Sequence, residues 1–142
     1  MNKLPEKIQR RSLTEVMFLP EREERKESAE FHHHKKTLKA EGHYTCFINN
    51  GYCEGQIELH HSVIEFSENN AIDWDKVTSD YPNIDHVDDI DQMMPLCKKH
   101  HTGKYTGVHN TTQLAWIAQK YMKADALAKF EAAVSDLLKE KS

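Results

Sequence analysis

Cysteine is scarce, with three in 142 residues. Three thiols cannot all pair internally, so a disulfide-stapled secreted scaffold is not expected. No apolar run approaches the roughly 18 residues of a membrane span. The opening MNKLPEKIQRRS lacks the apolar stretch of a signal peptide. These absences predict a cytoplasmic protein without a membrane partner. Apolar residues reach only 38%, below the roughly 45–50% of ordinary domains. With a mean hydropathy of −0.78, this predicts a thin core, and the length suits one domain rather than two large ones. Histidine is the exception to the scarcity, with ten residues. In a reducing setting, few cysteines beside many histidines point first to metal ligation.

The formal net charge of −4 is unevenly spread. Residues 1–45 carry ten Lys/Arg against eight Asp/Glu, residues 46–97 one against eleven, and residues 98–142 eight against four. The middle third would repel a polyanion unless cations neutralise it, whereas the basic flanks suit phosphates. Solvated acidic loops beside ordinary charged helices explain most of this pattern without a nucleic acid.

Residues 1–41 read as a charged helical arm. LTEVMFL at 13–19 suggests a short strand or helical turn, and Pro20 is placed to open a helix over EREERKESAEFHHHKKTLKA that ends near Gly42. Consecutive helical residues point about 100° apart, so His32, His33 and His34 are assigned structural or solvent roles. HYTCFINNGYCEGQIELHHSVI, residues 43–64, reads as short β-type runs around an Asn-Asn-Gly turn. Residues 65–92 form an acidic, turn-rich insertion with a short helix at WDKVTSDY, and MMPLCKKHH is a strand entering a polar turn. Leu114, Ile117, Tyr121, Leu127, Phe130, Val134, Leu137 and Leu138 recur at helical spacing. They predict two consecutive helices or one kinked helix, with these positions as core and Asp125 capping the second half.

Two clusters carry ligand chemistry. One is Cys46-x6-Cys53 followed by Glu58-Leu59-His60-His61; the other is Cys97-Lys98-Lys99-His100-His101, with His109 beyond it. Cys97-x2-His100 lets one tight turn present two ligands to a tetrahedral ion, and Cys46 and Cys53 can supply the others. That makes a closed structural Zn2+ site, with a folding value on the order of 10 kcal/mol. The six-residue gap between Cys46 and Cys53 is longer than the usual two to four. Neighbours on a strand point to opposite sides, so His60 and His61 are expected to play different parts, one toward a metal and one toward substrate. His101 and His109 can complete an open site of three imidazoles, with places left for water and a phosphate oxygen. The ordinary alternatives are buried thiols and surface histidines; two His-His pairs, each beside a zinc ligand, favour metal.

In these stretches the chain resembles the HNH endonucleases, the ββα-metal or His-Me finger class. ELHHSVI is similar to the first motif, in which a ligand precedes a general-base histidine. DDIDQMMPLCKKHH is similar to the second motif of the zinc-containing branch, close to N-L-x-P-L-C-x-x-C/H-H, and HHTGKYTGVH resembles phage and prophage members. The resemblance spans about residues 46–109. It implies an α+β fold: a small ββα-metal core with a structural zinc knuckle, flanked by N-terminal and C-terminal helices, with residues 42–142 as the nuclease domain. By position, His61 would be the base, His60 and His101 would hold a catalytic divalent cation with His109 as third ligand, and Cys46, Cys53, Cys97 and His100 would hold zinc. Gln92 stands where the family has an Asn that fixes the loop bearing the base or touches metal. Tyr105 stands where an H-x3-H helix would place its last ligand.

The chemistry implied is metal-dependent hydrolysis of DNA, with RNA also open, in the cytoplasm of a cell or of a phage host. His61 would activate water, and a strand carbonyl or Gln92 would orient its second nitrogen. All-imidazole ligation favours Mn2+, Ni2+ or Zn2+ over Mg2+. Lys98, Lys99 and Lys104 are placed to hold neighbouring phosphates. A homodimer through the C-terminal helices would permit double-strand cutting. The competing readings are a catalytically degenerate zinc module that binds nucleic acid or protein, and an inhibitor that presents the acidic 65–92 segment as a DNA mimic.

Overall fold

The computed structural model describes residues 3–23 and 27–140. Their elements are α1 (Ala29–Ala40), β1 (Ile57–His61), α2 (Trp74–Asp80), β2 (Met93–Cys97), α3 (Lys98–Thr102), α4 (Gln113–Tyr121) and α5 (Ala124–Lys139), with 3-10 helices at Phe66–Ala71 and Ile90–Gln92. The architecture is α+β, with helices around a two-stranded antiparallel sheet. Among the described residues, no helix is long and apolar enough to cross a membrane.

Ile57 pairs with Cys97, Leu59 with Pro95, and His61 with Met93. Partners share a face and neighbours alternate. Leu59, His61 and Met93 therefore look one way, and Glu58, His60, Met94 and Leu96 the other. Pro95 lacks an N–H, but its carbonyl accepts from Phe47 N at 2.8 Å, which ties the cysteine-bearing loop to β2.

Each sheet face has a small core. On the first face Phe31 of α1 packs on Leu59 and Met93, flanked by Leu38 and Tyr44. Ser28 caps α1 by accepting from Phe31 N at 3.0 Å, and its hydroxyl donates to Asp88 Oδ2 at 2.8 Å. The second core joins Cys46, Ile48, Leu96, Cys97 and Trp116. α4 delivers Trp116, whose indole N–H donates to His100 O at 2.9 Å, and Gln119, whose amide donates to Thr106 O at 2.9 Å.

Several sequence expectations change. The arm's helix starts at Ala29, after the Ser28 cap, and residues 20–23 are not helical; positions 24–26 of the expected helix lie outside the described residues. Residues 13–19 have no regular structure. Pro20 permits a helix start, yet no apolar stripe follows it to be buried. The β-type run at 43–64 contracts to Ile57–His61, because the knuckle loop before it turns back through Asn49 (φ 39) and Gly51 (φ 90). Two C-terminal helices are present, but Leu114, Tyr121 and Leu138 are 82%, 72% and 58% exposed. The buried phase of α4 runs through Trp116 and Gln119 instead. Lys123 occupies the N-cap of α5, and Asp125 sits in its first turn.

Two candidate metal centres

The first centre is the quartet Cys46, Cys53, Cys97 and His100. Its donor atoms lie within 4.8 Å of one another, which is metal-binding distance. His100 Nδ1 stands 3.7, 3.6 and 3.2 Å from the sulfurs of Cys46, Cys53 and Cys97. In a tetrahedron with Zn–S of about 2.3 Å and Zn–N of about 2.0–2.1 Å, the S···N edge is about 3.6 Å. Local structure fixes these positions. Cys97 is the N-cap of α3, so the first helical turn presents its sulfur and the His100 ring together. The knuckle loop reaches α3 through Lys98 N donating to Gln56 O and Lys99 N to Glu54 O, at 3.0 and 3.1 Å. Gly55 (φ +85) permits that approach, since a Cβ there would lie 2.6 Å from Lys98 Cβ.

Burial pushes the Cys46 thiol up, but hydrogen bonds from His100 and from the backbone at Asn49, Cys97 and Ile48 outweigh it and bring it down to about 6. Cys53 moves the other way, to about 12, through burial and then the charges of Cys46 and Cys97. Three sulfurs crowd one another here, so they cannot all ionise unaided, and a divalent cation among them would favour the thiolate form of each. The quartet's donor set fits zinc.

The second centre joins His60, His101 and His109, whose donor atoms also lie within 4.8 Å. β1 carries His60 on the sheet face toward α3, and α3 carries His101. His109 arrives because the chain folds back on α3: Val108 N donates to His100 O and His109 N to His101 O, at 3.0 and 3.2 Å. A Cβ at Gly107 would meet Gly103 N at 2.5 Å, so the fold-back requires a residue without a side chain. Ring centroids are 5.4 Å apart for His60–His101, 5.0 Å for His60–His109 and 4.8 Å for His101–His109.

Carboxylates orient two of the rings. His101 Nδ1 lies 2.8 Å from Glu58 Oε1, and His109 Nδ1 lies 3.0 Å from Glu65 Oε1. A carboxylate only accepts, so in neutral rings these contacts hold the proton on Nδ1. Both Nε2 lone pairs then converge, with the nitrogens 3.1 Å apart. Two lone pairs in that position repel unless a proton or a metal cation sits between them. Nitrogens about 3.0–3.4 Å apart are what one ion with bonds of about 2.0–2.1 Å requires. Burial, then the charges of His109, His101 and His61, pushes His60 down to about 3, so it stays neutral and able to ligate near pH 7. The set grades from buried His60 through half-buried His101 to exposed His109, leaving it accessible from solvent.

His61 follows His60 on β1 but faces α1, and is 7% exposed. Its ring stacks on Phe31 at 5.9 Å, and Nε2 lies 3.0 Å from Asp88 Oδ1. Asp88, rather than Gln92 or a strand carbonyl, is therefore the partner of this nitrogen. Gln92 is fully buried; its Oε1 accepts from Ile64 N at 2.8 Å and its Nε2 donates to Val87 O at 2.6 Å, so it clamps the chain leaving β1. Tyr105 lies away from the imidazoles, between α3 and α5. Glu65 and Asp88 went unread in the sequence because nothing separates them from the other acids of the middle third.

Among the described residues a third group, Asp85, His86 and Asp89, also clusters. There His86 is ion-paired through Nε2 to Glu30 at 2.7 Å and through Nδ1 to Asp85, which fastens α1 to the 85–89 turn. Comparison with family models, curated proteins and solved structures returned no match.

Proposed function

We propose that the chain is a metal-dependent endonuclease of the HNH type, hydrolysing phosphodiester bonds of DNA. The observation that carries this reading is the convergence of His101 and His109 Nε2 at 3.1 Å, each ring oriented by a carboxylate, beside a buried neutral His60. The order β1, β2, α3, with ligands on the first strand and the helix, agrees with the ββα-metal motif that the sequence resembles. The cysteine quartet holds structural zinc, and its role is to fix Cys97 and α3 against the sheet so that His101 meets His60.

His60, His101 and His109 would hold a divalent ion, which would supply Lewis acidity for phosphodiester hydrolysis. His61, next to His60 on β1 but turned toward α1, would take the proton of the attacking water. Asp88, 3.0 Å from Nε2, would orient the ring, and its carboxylate would stabilise the imidazolium that forms. Gln92 holds the chain after His61 in place. Hydrolysis is favoured over pure ion storage because the imidazole set is open on the His109 side, whereas the quartet is closed.

The burial of His61 at 7% beneath Phe31 favours a second reading, a zinc module of this fold that binds nucleic acid without cutting it. A plasmid-nicking assay separates the two. Nicking that disappears on metal stripping, returns with Mn2+, Ni2+ or Zn2+, and is lost in His60→Ala, His101→Ala and His61→Ala supports hydrolysis. Nicking that survives His61→Ala removes the base assignment, and zinc-loaded protein that never nicks leaves the binding module.

A further inference from the structure

A cleft of about 580 Å³ lies between α3 and α5, outside both metal centres. Its walls carry Lys98, Lys99, Lys104 and Lys139 against Glu54 and Glu131. Lys99 is already committed, with Nζ 2.7 Å from Glu131 Oε2 in a nearly buried pair. Lys98, Lys104 and Lys139 are exposed, and their charge is available to an anion.

Two further features are aromatic and polar. Tyr105 lines the cleft, with the Lys104 ammonium 5.4 Å from its ring centroid and the Arg10 guanidinium 5.7 Å away. Glu131, 8% exposed, also lines it, and its Oε1 is buried with no hydrogen-bond partner. A buried carboxylate oxygen without a donor is costly, and it marks a place for an N–H or O–H. Free phosphate would use the lysines and leave Tyr105 and Glu131 Oε1 unused. An acidic peptide brings further carboxylates toward Glu131. A nucleotide carries all three complements: a phosphate, a flat ring to stack and ring or amino N–H donors.

The cleft is also placed for this. Lys98 and His101 are three residues apart on α3 and so neighbours on its surface. Lys98 also lines the cleft, so α3 carries residues of both the imidazole centre and the cleft. The volume is within the roughly 300–1,000 Å³ of small-molecule sites. We infer that this cleft seats one nucleotide of a nucleic-acid strand, with its phosphates on Lys98, Lys104 and Lys139, its base against Tyr105, and a base N–H toward Glu131. The inference deepens the hydrolase reading and rests on it only for the direction in which the strand leaves the imidazoles.

The test is fluorescence anisotropy of a labelled single-stranded oligonucleotide with zinc-loaded protein over a salt series, the recovered probe being run on a gel for cleavage. Replacing Lys98, Lys104 and Lys139 together by Ala lowers the slope of log affinity against log salt by about 1.4, at roughly 0.7 for each of the two phosphates that flank one nucleotide. Tyr105→Ala weakens binding about tenfold, while zinc content stays at the wild-type value. Lys76→Ala, on α2, is the control and leaves both unchanged. An unaltered slope and affinity in the triple variant overturns the inference, as does an equal loss in Lys76→Ala. Cleft-dependent binding without cleavage supports the cleft and sinks the hydrolase reading. Cleavage at undiminished affinity in the triple variant does the reverse.

Discussion

Removal of zinc from the quartet is the perturbation with the largest predicted effect. Cys46 and Cys97 belong to the second core and are 5% and 1% exposed, and His100 is 0% exposed. Losing the ion therefore leaves crowded thiols and a buried imidazole at the junction of loop, β2 and α3, rather than on a surface. Structural zinc contributes about 10–16 kcal/mol in small modules, against a total domain stability of about 5–15 kcal/mol. Even half the lower figure, about 5 kcal/mol, moves Tm by roughly 15 °C in a chain of this size. The assay is thermal melting followed by circular dichroism, with and without a chelator and after zinc re-addition, alongside Cys97→Ser. The expected result is one zinc held through dialysis, loss of a cooperative transition on chelation, and its return with zinc. Superimposable melts with and without the ion would refute the reasoning, because they would mean the thiols pack as ordinary small hydrophobes.

Three other outcomes follow from particular contacts. Lys99→Ala strands the Glu131 carboxylate and costs about 3–5 kcal/mol, while Lys99→Met with Glu131→Leu recovers most of it, as measured by urea unfolding. Glu58→Gln releases the His101 ring from its orienting carboxylate and weakens metal binding at the imidazole centre by about 10- to 100-fold in titration calorimetry, with the quartet's zinc unaffected. The Asp85 carboxylate, with Glu30 and against a burial penalty, holds His86 above the ordinary histidine value. Its ion pairs therefore stabilise fully below the unfolded value of about 6.5 and fade as pH rises through the folded one. The Tm gap between wild type and His86→Gln should be wider near about pH 5.5 than near about pH 8.5.

The cysteine quartet was legible because Cys97-x2-His100 is a helical-turn spacing, and Cys46 and Cys53 are the chain's other two thiols. The three imidazoles were legible as candidates, but how His109 gets there was not. That depends on a chain reversal requiring Gly107, and a glycine in a loop announces no particular partner. In α4 Ile117 packs on the second core as its spacing predicted, but Leu114 and Tyr121 of the same series face solvent. The helix is instead set by the Trp116 indole on His100 O and by a buried Gln119, whose amide binds Thr106 O. A polar residue that is buried because it satisfies a carbonyl is invisible to a hydrophobic pattern. Asp88 was hidden for a similar reason. It is one carboxylate among eleven in the middle third, selected only by the turn that brings it to His61 and Ser28.

Anomalous scattering from crystals of the zinc-loaded protein, recorded on both sides of the zinc edge after a soak in excess zinc, addresses both centres at once. The account predicts one peak inside the Cys46, Cys53, Cys97 and His100 tetrahedron and a second bounded by His60, His101 and His109 with solvent on its outer side. No peak within the quartet, or an imidazole cluster that stays metal-free in excess zinc, would contradict it.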